Sequence, residues 1–331
     1  MDIDKLVNEY ISNNGSSSNS TKVTARNGFK RIEKILDKPI KDITESDFED
    51  SSDILDSLLD KYSNNTAIQT LLFIKFLLRQ LDAPEKLIEE YHEYMLELVA
   101  DRNEQENSQK KNPAEEALGE DFDYEKMRDK FLKEVADMPS SPSFSMSRAM
   151  LMLGLFLLQP PTRIGNYLNM VIRKPGQRLK KDTNYLIVGP DEDYKFIFQS
   201  YKTSKNLGKI ELPVKNDTLK KLITGYLEKH PSYNKPKKVS EFIVNPNGAS
   251  ISQSNFTQIL KSITNKIYGV PGSTNLFRHS FLTWFLSQNP NIEEKKKITR
   301  LIGQNLHASR AEKYQRHDAD RGSILPEYDD I

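Results

Sequence analysis

The sequence predicts a mainly α-helical chain with one small antiparallel β-sheet, built as a helical N-terminal domain followed by a larger α+β domain. Three observations carry that expectation. Apolar residues recur at helical spacing through most of the chain. Alternating apolar runs are confined to residues 185–212. Between residues 101 and 119 the periodicity lapses into Glu, Asn, Gln and Lys, with Pro113, as a linker does.

A length of 331 residues allows two domains, and 37% hydrophobic with 29% charged residues is the make-up of a soluble globular protein. Cysteine is absent, which excludes disulfides and thiolate metal sites and points to an intracellular home. The five histidines, at 92, 230, 279, 307 and 317, have no helical metal-ligand spacing, so no histidine metal site is expected, while carboxylate sites stay open. No apolar run reaches the roughly 18 residues of a membrane span. The acidic start, Met1-Asp-Ile-Asp-Lys, lacks a signal-peptide core, so the chain is expected not to be secreted.

In chain order, a short amphipathic piece (Ile3, Leu6, Val7, Tyr10, Ile11) leads into Asn13-Asn-Gly-Ser-Ser-Ser-Asn-Ser20, a loop ending in a helix cap. Thr21 to Leu36 is a helix with Val23, Phe29 and Ile32 on one face and Lys22, Arg26, Lys30, Arg31 and Lys34 on the other. Helices are expected at Asp53–Tyr62, at Thr66–Leu81 and from Pro84 to Leu98, making four short helices in the first 100 residues. After the linker come a helix at Tyr124–Val135 and a nearly all-apolar, hence buried, helix at Ser143–Leu158, which Pro160-Pro161 ends. A new helix is expected near Arg163. Tyr185–Val188, Tyr194–Phe198 and Ile210–Leu212 read as strands, separated by Gly189-Pro-Asp and Asn206-Leu-Gly208. Helices resume at Asp217–Lys229, Ser252–Tyr268, Arg278–Gln288, Ile292–Ile302 and Ser309–His317.

The net charge is only +1, but it is unevenly placed. Residues 101–125 hold nine acidic and three basic residues, and residues 171–240 hold sixteen basic and seven acidic. A basic segment of that size fits a surface that neutralises phosphates, although a solvated lysine-rich face has the same composition.

Four motifs follow one another over about half the chain. Thr162-Arg163-Ile164-Gly165-Asn166 comes after the double proline, and Tyr201-Lys202-Thr203 sits at the expected hairpin. Asn275-Leu-Phe-Arg278-His279-Ser280 opens an apolar helix. Gly303-Gln304-Asn-Leu-His307 leads through a short polar loop to Tyr314, between Lys313 and Arg316. Arg, Lys, Arg and Tyr in this order resemble the tyrosine recombinase (phage integrase) family over about residues 120–317.

That resemblance implies chemistry on a DNA phosphate without metal or cofactor. Tyr314 is then the nucleophile, and its phenolate can later be displaced by a DNA hydroxyl, which conserves the phosphodiester energy. Arg163 and Arg278 clamp the phosphate, because two guanidinium forks match the oxygens of a transition state that gains negative charge. Lys202 gives the leaving 5′ oxygen its proton, with Lys205 and Lys209 as alternatives. Three positions depart from the family pattern. Asn166 stands for the usual acidic residue after the first arginine. Asn275 replaces the leading histidine of His-x-x-Arg-His, and an amide can donate a hydrogen bond but cannot shuttle a proton. Gln304 takes the place of His or Trp, with His307, nearer the tyrosine, as the alternative. His279 is read as a packing or hydrogen-bonding residue and Trp284 as core; Tyr226 and Tyr268 lack a comparable preceding loop.

The resemblance also implies a partner and an assembly: double-stranded DNA, held between a core-binding domain (residues 1–100) and a catalytic domain (residues 120–317), with a tail at 318–331, by a homotetramer on two DNA sites. The expected function is site-specific DNA recombination, as by the integrase of a viral or mobile element. A type IB topoisomerase has a similar residue set, and a catalytically inactive DNA-binding relative would keep the same fold. An all-helical interaction protein would leave the basic 171–240 segment without a use.

Overall fold

Helix boundaries follow local capping chemistry. The Asp2 carboxylate accepts the Lys5 N–H at 2.8 Å and opens α1 (Ile3–Asn14), which closes on Gly15 in the left-handed region, where glycine has no Cβ to clash. Then follow α2 (Asn19–Leu36), α3 (Ser51–Lys61), α4 (Asn64–Gln80) and α5 (Glu85–Asn107), the last starting directly after Pro84. The computed structural model describes residues 2–15, 19–108, 110–233, 235 and 240–303. It divides into two compact units, Met1–Ser108 and Gln109–Ile331.

In the first unit α4 is the central helix, packed on α2, α3 and α5. Leu71, Ile74, Leu77 and Leu78 of α4 meet Phe29 and Ile32 of α2 and Tyr91 of α5 in one buried cluster. Two rings from α1 and α2 close on Phe73 of α4, Tyr10 at 4.9 Å and Phe29 at 5.4 Å between centroids. The approach of α2 to α4 depends on Gly28, where an added Cβ would lie 2.1 Å from the Phe73 ring. Among its described residues the unit thus has five α-helices rather than the expected four, because the opening amphipathic piece is a full helix.

The second unit opens with α6 (Pro113–Leu118), α7 (Tyr124–Ala136) and α8 (Phe144–Leu157). Helix α8 is buried all round from Met150 to Leu157, as its composition requires, and touches α7, α10 (Asp217–Glu228), α11 (Gln253–Tyr268) and α12 (Thr274–Ser287). Four strands, β1 (Val171–Arg173), β2 (Tyr185–Val188), β3 (Tyr194–Phe198) and β4 (Ile210–Pro213), lie in the order β1-β2-β3-β4. A four-residue helix, α9 (Ser204–Leu207), joins β3 to β4, and α13 (Ile292–Leu301) packs on β4. Among the described residues no helix is long and apolar enough to cross a membrane.

Four expectations need correction. The sheet is mixed rather than purely antiparallel: β1 runs parallel to β2, with Val171 opposite Tyr185, while the other two pairs are antiparallel. At three residues β1 is too short to show alternation, and its other edge is held by Ser240 and Phe242, distant in sequence. Residues 101–119 are largely helical, since α5 runs on to Asn107 and α6 follows. Asn112 and Glu115 cap α6 reciprocally, a local signal that outweighs the polar composition. Near Arg163 there is only a single 3-10 turn (Ile164–Asn166), because Asn169 adopts a left-handed backbone and β1 begins at Val171. Helix α12 begins at Thr274 rather than Arg278, which places Asn275 and Arg278 one turn apart on one face.

Candidate active site

Two arginines converge on the C-terminal end of α13. That helix closes at Ile302 and Gly303, the latter in the left-handed region at φ 69°. Arg278 donates through Nη1 to the Ile302 carbonyl at 3.2 Å, and Arg163 donates through Nη1 to the Gly303 carbonyl at 2.8 Å. The Thr203 hydroxyl reaches the same Gly303 carbonyl at 2.9 Å. The last carbonyls of any helix are partly negative and attract cations. Here, however, the cations come from 140 and 24 residues away in sequence, so the fold itself builds a convergent pair of guanidinium forks.

Each arginine is set by a different part of the core. Arg163 follows the buried Thr162 and has an extended backbone at the head of its 3-10 turn. That turn is anchored by Tyr167, fully buried against Phe156 of α8 and against Phe196 and Phe198 of β3. Arg278 is 2% exposed and follows Phe277, whose ring stacks on Phe156 at 5.9 Å. Phe156 therefore touches aromatic residues beside both arginines, Tyr167 in the Arg163 turn and Phe277 before Arg278.

The far side of α12 is tied to the segment that precedes α7. His279 hydrogen-bonds through Nδ1 to the carboxylate of Glu115, which is fully buried and whose other oxygen caps the Asn112 N–H at 2.9 Å. The Ser280 hydroxyl donates to the Phe122 carbonyl at 2.6 Å. His279 is thus a hydrogen-bonding residue, and Trp284, against Tyr124 and Phe281, packs on the core.

Lys202 lies in the turn after β3, next to Thr203, and is exposed. It makes no ion pair among the described residues, whereas Lys209 is paired with Glu211, which also holds Lys195. Lys205 is exposed on α9. Asn275 is exposed at the start of α12, and Asn166 is buried in the Arg163 turn. Gln304, His307 and Tyr314 lie outside the described residues. The structure thus brings Arg163, Arg278 and the Lys202–Thr203 turn to Gly303, the last described residue before the expected nucleophile segment.

Four buried tyrosines of the second unit, Tyr124, Tyr167, Tyr226 and Tyr268, are unsuited to attack a phosphate. Burial pushes the Tyr167 hydroxyl up to about 12 and raises Tyr124, Tyr226 and Tyr268 further. Tyr226 accepts the Val244 N–H, and Tyr268 donates to the Met127 carbonyl. Tyr201 lies beside Gly303, but its hydroxyl is bound to the Gly208 carbonyl at 2.6 Å and burial raises it as well.

Sequence reasoning missed Glu115 and Asn184. Glu115 sits in an acidic, polar stretch that gives no sign of burial. Asn184 is a single asparagine before a strand, and its partners are 15 to 18 residues away.

No family model matches the sequence, and no curated protein matches it. Among solved structures, a lambda integrase dimer bound to a COC' core site aligns over 99% of this chain and 81% of its own, with a TM-score of 0.57 and 15% identity. The Tn1549 transposon integrase in complex with circular intermediate DNA aligns over 96% of each chain, with a TM-score of 0.54 and 15% identity. At these identities the likeness is one of architecture. The chain has the tyrosine recombinase and integrase fold.

Proposed function

We propose that the protein is a site-specific DNA recombinase that cuts and rejoins duplex DNA through a 3′-phosphotyrosine intermediate. The observation that carries this reading is the convergence of Arg163 and Arg278 on Ile302 and Gly303, immediately upstream of the segment that contains Tyr314. Two guanidinium groups at adjacent carbonyls can equally take the two non-bridging oxygens of one phosphate, as charge-assisted and partly desolvated bonds. Tyr314 attacks phosphorus, the bond to the 5′ oxygen breaks, and Lys202 supplies the proton that this oxygen needs. Attack of a 5′ hydroxyl from another strand on the phosphotyrosine reverses these steps and reseals the DNA.

Several features support DNA as substrate. Lys174, Arg178, Lys180, Lys181, Lys202 and Lys205 are exposed and make no ion pair among the described residues. The lambda and Tn1549 integrases are both known in complex with DNA. We assign the first unit, whose helix α2 carries a basic face, to binding the duplex, and the second to catalysis. Recombination further requires a homotetramer on two DNA sites, and a viral or mobile element is the natural source of such an integrase.

The test is incubation with nicked suicide duplexes drawn from the DNA flanking its own gene, followed by denaturing electrophoresis. A covalent protein–DNA adduct and strand exchange between two duplexes are expected. Relaxation of supercoils without exchange would instead mark a topoisomerase. Tight, salt-sensitive binding without any adduct would mean that Asn275 and Gln304 belong to a protein that has lost the reaction.

A further inference from the structure

Asn184, the residue before β2, is 5% exposed, and its side chain makes four hydrogen bonds. Oδ1 accepts the N–H groups of Gln199 and Ser200, both at 2.8 Å. Nδ2 donates to the Ser200 carbonyl at 2.8 Å and to the Asn166 carbonyl at 2.9 Å. The two backbone donors on one side and two carbonyls on the other fix which amide atom is oxygen, and every bond the amide can make across its plane is used.

These partners matter because of where they lead. Strand β3 ends at Phe198 and β4 begins at Ile210, so no ladder holds Gln199 and Ser200. Three of the four Asn184 bonds do so instead. Two residues further on is Lys202, in a turn closed by the Ser204 N–H on the Tyr201 carbonyl at 3.0 Å and pinned by Thr203 to Gly303. The fourth bond ends on Asn166, the last residue of the turn that starts at Arg163. One buried amide therefore ties the stem of the lysine turn to the arginine turn.

We propose that Asn184 is a positioning residue for the general acid, holding the turn that presents Lys202 to a phosphate bound by Arg163 and Arg278. The inference rests on the recombinase reading above. Its signature is specific to the leaving group, because three of the four bonds act on the Lys202 side.

Asn184→Asp keeps the shape but turns a second oxygen toward the Ser200 and Asn166 carbonyls. Asn184→Ser is too short to span the two loops. With a nicked suicide duplex at saturating protein, either variant should cleave a normal phosphodiester on the order of 100-fold more slowly than wild type, as misplacement by about 1 Å does. On a duplex with a sulfur at the 5′ bridging position, whose thiolate departs without a proton, the same variants should return to within a few fold of wild type. Equal slowing on both substrates, or wild-type rates on both, overturns the proposal and leaves the recombinase reading intact. If both variants fail to fold, as read by thermal unfolding, Asn184 is a folding residue and the proposal is overturned too. If wild type cleaves neither duplex, the recombinase reading fails and this inference falls with it.

Discussion

Arg163 and Arg278 each hold a backbone carbonyl in this structure, and each is expected to exchange it for a phosphate oxygen. Replacing either by alanine should cost about 3 kcal/mol of transition-state stabilisation, roughly a 100-fold slower single-turnover cleavage, while duplex affinity stays within a few fold. Cleavage by either variant at the wild-type rate would contradict the clamp. Lys202→Ala should be slow on a phosphodiester and largely restored on the 5′-bridging sulfur substrate. If it is equally slow on both, the acid is another group, and the exposed Lys205 comes before Lys209, which Glu211 engages. Arg278 could be singled out in the sequence because Arg-His-Ser is followed by an apolar run, although the helix itself starts four residues earlier, at Thr274. Asn184 was not, because its role consists of contacts that only the folded sheet and loops create.

At the scale of elements, two close approaches decide how helices sit. Gly28→Ala gains helix propensity of up to about 1 kcal/mol, yet its methyl would fall inside the Phe73 ring, so α2 or the buried Phe73 must move. Over-packing of that kind costs about 1–3 kcal/mol, and the variant should melt below wild type in thermal unfolding. A higher melting temperature would show that α2 and α4 are further apart than described. Glu115→Ala removes the buried partner of His279 and one half of the α6 cap. It should destabilise the second unit by about 3 kcal/mol, and denaturant unfolding measures it; a loss below about 0.5 kcal/mol would place Glu115 in solvent. Long apolar helices could be read from the sequence alone, α4 from its apolar spacing and α8 from an apolar run ended by Pro160-Pro161. Strand β1, the single turn at Arg163 and the burial of α6 could not, since each is short and depends on distant residues: Ser240 and Phe242 for β1, Phe156 and Phe198 for Tyr167, His279 for Glu115.

At the scale of the whole molecule, the proposed function requires that a duplex be bound and that one phosphate reach two arginines, a lysine and a tyrosine. Charge distribution, not net charge, favours DNA: +1 overall conceals Lys174, Arg178, Lys180, Lys181, Lys202 and Lys205, which are exposed and make no ion pair among the described residues. Binding should therefore weaken steeply as salt rises, with a log–log slope set by the number of phosphates neutralised. A flat salt dependence would remove DNA as the partner. The order of Arg, Lys, Arg and Tyr is a feature of the sequence; that Arg163 and Arg278 meet at Ile302 and Gly303 is not, because their meeting depends on core packing and on the end of α13. The most direct test of the central claim is Tyr314→Phe, which removes one oxygen and keeps the ring. Unchanged folding and DNA binding and complete loss of cleavage are expected, with a wild-type adduct that maps to the Tyr314 peptide on a 3′ phosphate with a free 5′ hydroxyl. An adduct that persists in Tyr314→Phe would contradict the claim.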